Sequence, residues 1–226
     1  MHEATDEEVG LSDLAELAQQ LVERHDLATL GAVETAMPGV RLFFHDQPVA
    51  RGPLLYTSGI VVLVTGRKVA FLGNQRFAYD PENYLTLGLP LAMECETAAS
   101  EADPLFAIYI EVGPVLLRDV ALAMDLDLDA PAPREPAIAA APLEPEMRDA
   151  VRRLMRHLLS DGDTAVLGEG TRREIVYRAL QGDAGRALGG LLKKDGQAGR
   201  VAEVMQSMHD RLAERISVDA MARMAG

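Results

Sequence analysis

With 226 residues, a net charge of −13 and hydrophobic side chains at 48% of positions, the chain has enough apolar material to build a core and too much for a disordered segment. The acidic excess is concentrated early. Residues 1–130 carry 21 acidic and 7 basic side chains against 14 and 15 in residues 131–226, so the first part repels DNA and a conventional basic binding face is excluded.

A single cysteine, Cys95, excludes an internal disulfide framework and fits a reducing cytosol. No apolar run approaches the roughly 20 residues that cross a bilayer, and residues 1–8 lack the basic end and apolar stretch of a secretory signal. The expectation is a cytoplasmic protein with no membrane partner.

Leu14, Leu17 and Leu21 share one helical face, and Thr5 with Glu8 has capping-box spacing ahead of them; this opening helix is expected as a lid or arm. From Val40 the texture changes to short β-rich runs: 40–44, 54–56, 60–64, 68–72, 76–79, 84–87, 91–97 and 105–112. Gly73-Asn74 is a two-residue hairpin signal, and Thr65-Gly66 and Asp80-Pro81 punctuate similarly. Eight short strands so close together predict a sandwich or small barrel such as a jelly roll.

Helical periodicity returns at Pro114–Asp127, followed by a proline-rich stretch, Ala130 to Pro136, with little to bury. A domain boundary is expected there. Beyond it, Met147, Val151, Leu154 and Leu158 line one face of a helix over 146–159 that suits a partner helix. Thr171 to Glu174 reads as a capping box opening another helix, which Gly182 ends and after which Asp183 can cap the next. Near the end, Val201, Met205, Met208 and Leu212 recur at helical spacing, and Arg215-Ile216 breaks the run. Ser217 is then placed to cap a second stripe of Val218, Met221, Ala222 and Ala225. This reads as the opening of a helix-turn-helix without the helix that would enter the major groove.

Catalytic and metal chemistry find little support. A metal-binding jelly roll needs convergent ligands such as a His-x-His pair, and His2, His25, His45, His157 and His209 stand apart. The run Asp125 to Asp129 imitates an EF-hand start, but Ala130 and Pro136 occupy the positions that require Gly and Glu. Gly182, Gly185, Gly189 and Gly190 lack the lysine and preceding strand of a phosphate loop, and Ser58-Gly59 lacks the upstream glycine of a nucleophile elbow. No catalytic residue, metal or cofactor is expected. On the strand over 91–97, Met93 and Cys95 alternate with Glu94 and Glu96, and the apolar pair is expected inside.

Three blocks carry a resemblance. Thr35 to Val40, Leu63 to Val69 with Leu72-Gly73, and Tyr79-Asp80 with Tyr84-Leu85 resemble the N-terminal effector domain of AraC-type transcription regulators. Arg173 to Gly182 is similar to a motif just before those regulators' DNA-binding unit, and 201–226 resembles that unit's first helices. The resemblance implies an α+β protein, a cupin-like β jelly roll or barrel followed by an α-helical region. It implies an effector-binding domain with its helical arm over 1–130, a proline-rich linker over 131–143, a helical linker and dimerisation region over 144–195, and an incomplete helix-turn-helix domain over 196–226. Implied partners are a small-molecule effector, DNA for the full-length protein and a second copy of the chain.

Alternation assigns Tyr56, Met93, Cys95 and Tyr109 to the interior, either as the lining of an effector pocket or as plain core. A cupin-fold enzyme, an isomerase or oxygenase, is the alternative function and would be marked by a bound metal. A non-enzymatic interaction module unrelated to DNA is a third.

Overall fold

The computed structural model describes residues 6–27, 30–127, 136–182, 184–189 and 191–192. In chain order these form α1 (Asp6–Arg24), β1 (Leu30–Glu34), β2 (Val40–His45), β3 (Val49–Tyr56), β4 (Gly59–Thr65), β5 (Arg67–Leu72), β6 (Gln75–Tyr79), β7 (Asn83–Leu87), β8 (Leu91–Ala98) and β9 (Leu105–Glu111). There follow α2 (Pro114–Ala123), β10 (Ile138–Pro142), α3 (Pro145–Leu158), α4 (Asp161–Gln181) and the single turn α5 (Gly185–Gly189). The terminal helical stripes expected over 201–226, the capping threonine Thr5, Asp183 and most of the proline-rich run lie outside the described residues.

Two antiparallel sheets form a cupin-like β fold. One has six strands in the order β1-β2-β9-β4-β7-β10, the other four in the order β3-β8-β5-β6. All eight strands read from the sequence are present. The β5–β6 hairpin turns at Gly73-Asn74, with Leu72 opposite Gln75, as the two-residue signal requires. After β6, the Asp80 carboxylate accepts from the Glu82 amide and from the Asn83 side chain, which closes the expected turn into β7.

The central strands β4 and β9 of the six-stranded sheet are buried on both faces. On β4, Val61 and Leu63 join the core between the sheets, while Ile60, Val62 and Val64 join a second core beneath the helices. β9 divides the same way, with Leu105, Ala107 and Tyr109 toward the four-stranded sheet and Phe106, Ile108 and Ile110 toward the helices. This explains the continuous apolar runs Ile60–Val64 and Leu105–Ile110, which do not show the alternation of a strand with one wet face. β8 is the contrast: Met93 and Cys95 are buried and Glu94 and Glu96 exposed, as its alternation predicts.

Several expectations are corrected. Instead of an arm, α1 is part of the core, with Leu14, Leu17 and Leu21 buried against β4 and α3. Complete burial of such a leucine contributes about 2 kcal/mol, which a loose lid forgoes. The stretch expected as a linker contains β10, whose Ile138–Pro142 pairs antiparallel with Leu87–Asn83 of β7. An Ala-rich pentapeptide has little strand preference of its own, so the open edge of β7 decides its conformation. β1 was likewise invisible, as a short run containing Gly31 that pairs along β2.

Among the helices, Thr171 does not start one. α4 begins ten residues earlier, where the Ser160 hydroxyl accepts from the Asp163 amide, and the Thr171 hydroxyl instead donates back to the Leu167 carbonyl in mid-helix. The apolar face of α3 finds its partners within the chain. Met147, Val151, Leu154, Met155 and Leu158 are all buried in the helix-side core, with α1 and α4 packed alongside. That face therefore offers nothing to a second copy. Among the described residues no helix is long and apolar enough to cross a membrane.

Candidate functional site

The space between the sheets contains all four residues assigned to it. Tyr56, Met93, Cys95 and Tyr109 belong to one buried cluster, together with Val61, Leu63, Ala70, Tyr79, Leu85 and Leu87. Register explains the arrangement on the small sheet. Leu54 of β3 lies opposite Met93 of β8, and Cys95 lies opposite Gly52 on one side and Ala70 of β5 on the other. Between these small partners Cys95 faces the interior, where it is bonded to Tyr56.

Tyr109 is held at its hydroxyl. Its O–H donates to the Ser58 carbonyl at 2.9 Å. A single phenolic proton is thereby used, so the close Thr57 hydroxyl is the donor toward Tyr109, and Arg41 donates weakly to Thr57 at 3.4 Å. The Arg41 guanidinium also covers the ring face, 4.6 Å from its centroid. Gly59 is required by this packing, because a Cβ there would come 2.8 Å from the Tyr109 hydroxyl and 2.5 Å from the Ile110 carbonyl oxygen. Burial pushes the Tyr109 phenol well above its ordinary range. Its ring is interior wall, while its hydroxyl is a structural clamp.

Tyr56 is different. Its hydroxyl lies 3.2 Å from that of Tyr79, a residue the alternation argument did not single out. Beside them is Lys68, only 9% exposed, with its ammonium 5.6 Å from the centre of the Tyr56 ring. Lys68 points inward because it stands in register with Tyr79 on β6 and Thr97 on β8, both buried. Burial raises both phenols, Tyr79 the more, so each stays protonated and able to donate. Burial also pushes the Cys95 thiol up, against the opposing charge of Lys68, leaving it a protonated and poorly nucleophilic group. The sequence signal for Lys68 was its two-residue spacing from Ala70 on a strand, masked by the adjacent Arg67.

Elsewhere, a cleft of about 560 Å³ opens between the sheet and the helices, lined by Pro38, Gly39, Glu111, Leu116, Asp119 and Arg172 among others. Another of about 400 Å³ lies by β10 and the ends of α3 and α4, with Tyr84, Met147 and Arg178 on its walls. Among the described residues no three His, Cys, Asp or Glu side chains converge as metal ligands.

The sequence of residues 36–187 matches the model of a protein family described as the AraC-type transcriptional regulator N-terminus. The chain belongs to the AraC-type regulators.

Solved structures agree on the fold of this AraC-type chain. A ligand-free lysine-to-alanine variant of ToxT from Vibrio cholerae strain SCE256 superposes with a TM-score of 0.55 at 6% identity, covering 83% of this chain and 70% of that one. Wild-type ToxT from the same strain, bound to an unsaturated fatty acid, gives 0.52 at 4% identity over 84% and 69%. ToxT from strain O395 bound to (E)-4-(8-methylnaphthalen-1-yl)but-3-enoic acid gives 0.51 at 8% identity over 83% and 77%. No curated protein matches the sequence. Family membership thus rests on the sequence, and the likeness to ToxT is one of architecture.

Proposed function

We propose that this AraC-type chain is a ligand-responsive, cytoplasmic transcription regulator that binds its effector without turning it over. A small molecule occupies the space between the sheets, against Tyr56, Met93 and Cys95, with the ring of Tyr109 as a further wall. The observation that carries this reading is the double burial of β4 and β9. Neighbouring residues on β4 and β9 face the inter-sheet core and the helix-side core in turn, so a ligand that displaces Val61 or Tyr109 strains the packing of Ile60, Val62 and Ile108 under α1 and α3. Binding of fatty-acid-like molecules by the structurally similar ToxT supports a small organic effector.

Residues 196–226 open the DNA-binding unit in this reading, residues 144–195 connect it to the sensor, and DNA is the partner of the full-length protein. A ligand shifts that unit only by the difference in its affinity for two arrangements of the helices. The chain acts as a homodimer. With the apolar face of α3 already used, the surface that suits a second copy is the outer side of α2 and α4, where Val115 and Val166 are 85% and 79% exposed and Leu122 and Leu167 stand out as well.

Native mass spectrometry of the protein purified without denaturation tests the sensor reading. An organic molecule released on unfolding, and lost from a Met93→Trp variant that stays folded by circular dichroism, is the expected result. Stoichiometric metal with no organic ligand would overturn it and favour a cupin-fold enzyme.

A further inference from the structure

We propose that the inter-sheet site selects an organic carboxylate with an apolar body, its carboxylate seated against Lys68, Tyr56 and Tyr79. This rests on the effector reading above and names the ligand's chemical class.

An ammonium group has three donors and no acceptor, and each phenol has one proton to give. One phenol of the Tyr56–Tyr79 pair donates to the other across 3.2 Å, and Tyr56 is also bonded to the Lys68 ammonium and the Cys95 sulfur, so the second phenolic proton has only a weak sulfur acceptor. Lys68 cannot accept it. The described residues place no Asp or Glu oxygen within 4 Å of the Lys68 ammonium, although eleven such ion pairs join other side chains. Cys95, which is bonded to Tyr56, is a protonated thiol and only a weak acceptor, and the buried Nδ1 of His45 has no hydrogen-bond partner among the described residues.

The cluster is therefore positively charged and, among the described residues, without an anionic partner. A lysine this buried is costly when unpaired, and it is retained where an anion completes it. A carboxylate is the complement: two oxygens with lone pairs for the ammonium and for the phenolic proton that the thiol accepts only weakly, in charge-assisted bonds that replace the lost hydration. The remainder of the ligand must be apolar, because the walls that continue from this cluster are Leu54, Leu85, Leu87, Met93 and Val61. A phosphate ester fits less well, since its second negative charge would face a single ammonium.

The test uses the full chain and a homologous series of straight-chain fatty acids, each paired with the amide of the same length, titrated calorimetrically. Wild-type protein is expected to bind the best acid at least about tenfold more tightly than its amide, the gain of one charge-assisted contact. Lys68→Met should abolish that preference while melting no lower than wild type without ligand, because it removes an unpaired charge from the core. Tyr79→Phe should keep the fold and weaken the preference. The acid–amide comparison on wild type stands even if Lys68→Met fails to fold. Equal binding of acid and amide, both reduced in Met93→Trp, would overturn the carboxylate class and leave the effector site intact. Acid binding unaffected by both Lys68→Met and Met93→Trp would place the ligand elsewhere and overturn both readings.

Discussion

Gly88, just beyond β7, and Ala187 in α5 meet backbone to backbone: a Cβ at position 88 would lie 1.6 Å from the Ala187 carbonyl oxygen. One residue pair away, the buried Thr86 hydroxyl donates to the Ala184 carbonyl at 2.7 Å. Together they fix α5 directly onto a strand whose other face borders the inter-sheet core.

Gly88→Ala should therefore displace α5, because the obstacle is main chain and cannot rotate away. The expected cost is at the upper end of overpacking, about 3 kcal/mol, read from urea denaturation, with faster amide exchange over 184–189. Gly170→Ala is the control within the same helical layer. A Cβ there meets nothing within 4 Å in α4, so the variant should gain roughly 0.5–1 kcal/mol. Equal stability of the two variants would show that the Gly88 contact does not hold α5.

Val115→Asp combined with Val166→Asp should convert the proposed dimer into a monomer in sedimentation equilibrium. Both side chains are exposed, so the stability of the monomer itself should change by no more than about 0.5 kcal/mol. A dimer that survives the double substitution would move the interface away from the outer side of α2 and α4.

Acid should weaken the fold through its histidines. Burial, and then the charge of Lys68, lower His45 from 6.5, with Asp46 opposing; burial and Arg24 lower His25, with Asp161 opposing. A group whose folded pKa is depressed binds fewer protons in the native state, so its stabilisation is present above 6.5 and is lost as pH falls below it. Urea midpoints measured between neutral pH and about pH 5 should decline, and His45→Gln should flatten the decline. A profile indifferent to His45→Gln would mean that its imidazole meets equal environments in both states.

The buried tyrosines act at the other end of the scale. Tyr56, Tyr79 and Tyr109 are all raised from 10.0 by burial, so their contribution is complete below that value and fades as pH climbs above it. Tyrosinate absorbance from these residues should appear only together with unfolding. Cys95, buried and raised for the same reason, should resist alkylation by iodoacetamide at a rate set by opening of the fold. Rapid labelling of native protein would show a solvent path to the interior that the burial of Cys95 does not display.

Much of the β architecture was legible because its signals are local. Turn residues such as Gly73-Asn74 and Asp80 fix the breaks, and the alternation on β8 identifies which of Met93, Glu94, Cys95 and Glu96 face inward without reference to any neighbour. The assignment of Tyr56, Met93, Cys95 and Tyr109 to a common interior followed from the same period of two. β1 and β10 stayed hidden because an Ala-rich or Gly-containing pentapeptide becomes a strand only when a sheet edge offers it hydrogen bonds. The helix-side misreadings have a similar origin, since a capping pattern at Thr171 reads as a start when nothing local shows that Ser160 has already capped the helix.

What the sequence determined by itself is the set of elements with their own periodicity and turn chemistry, and the membership of the chain in the AraC-type regulators. Tertiary structure alone decided which apolar faces were already satisfied. It spent the face of α3 on α1 and α4, drew β10 out of the proline-rich stretch, and brought Lys68 beside Tyr56 and Tyr79. Those residues come from three strands, and a charge's cost or use in a core depends on what surrounds it in space. No window of neighbouring residues contains that information.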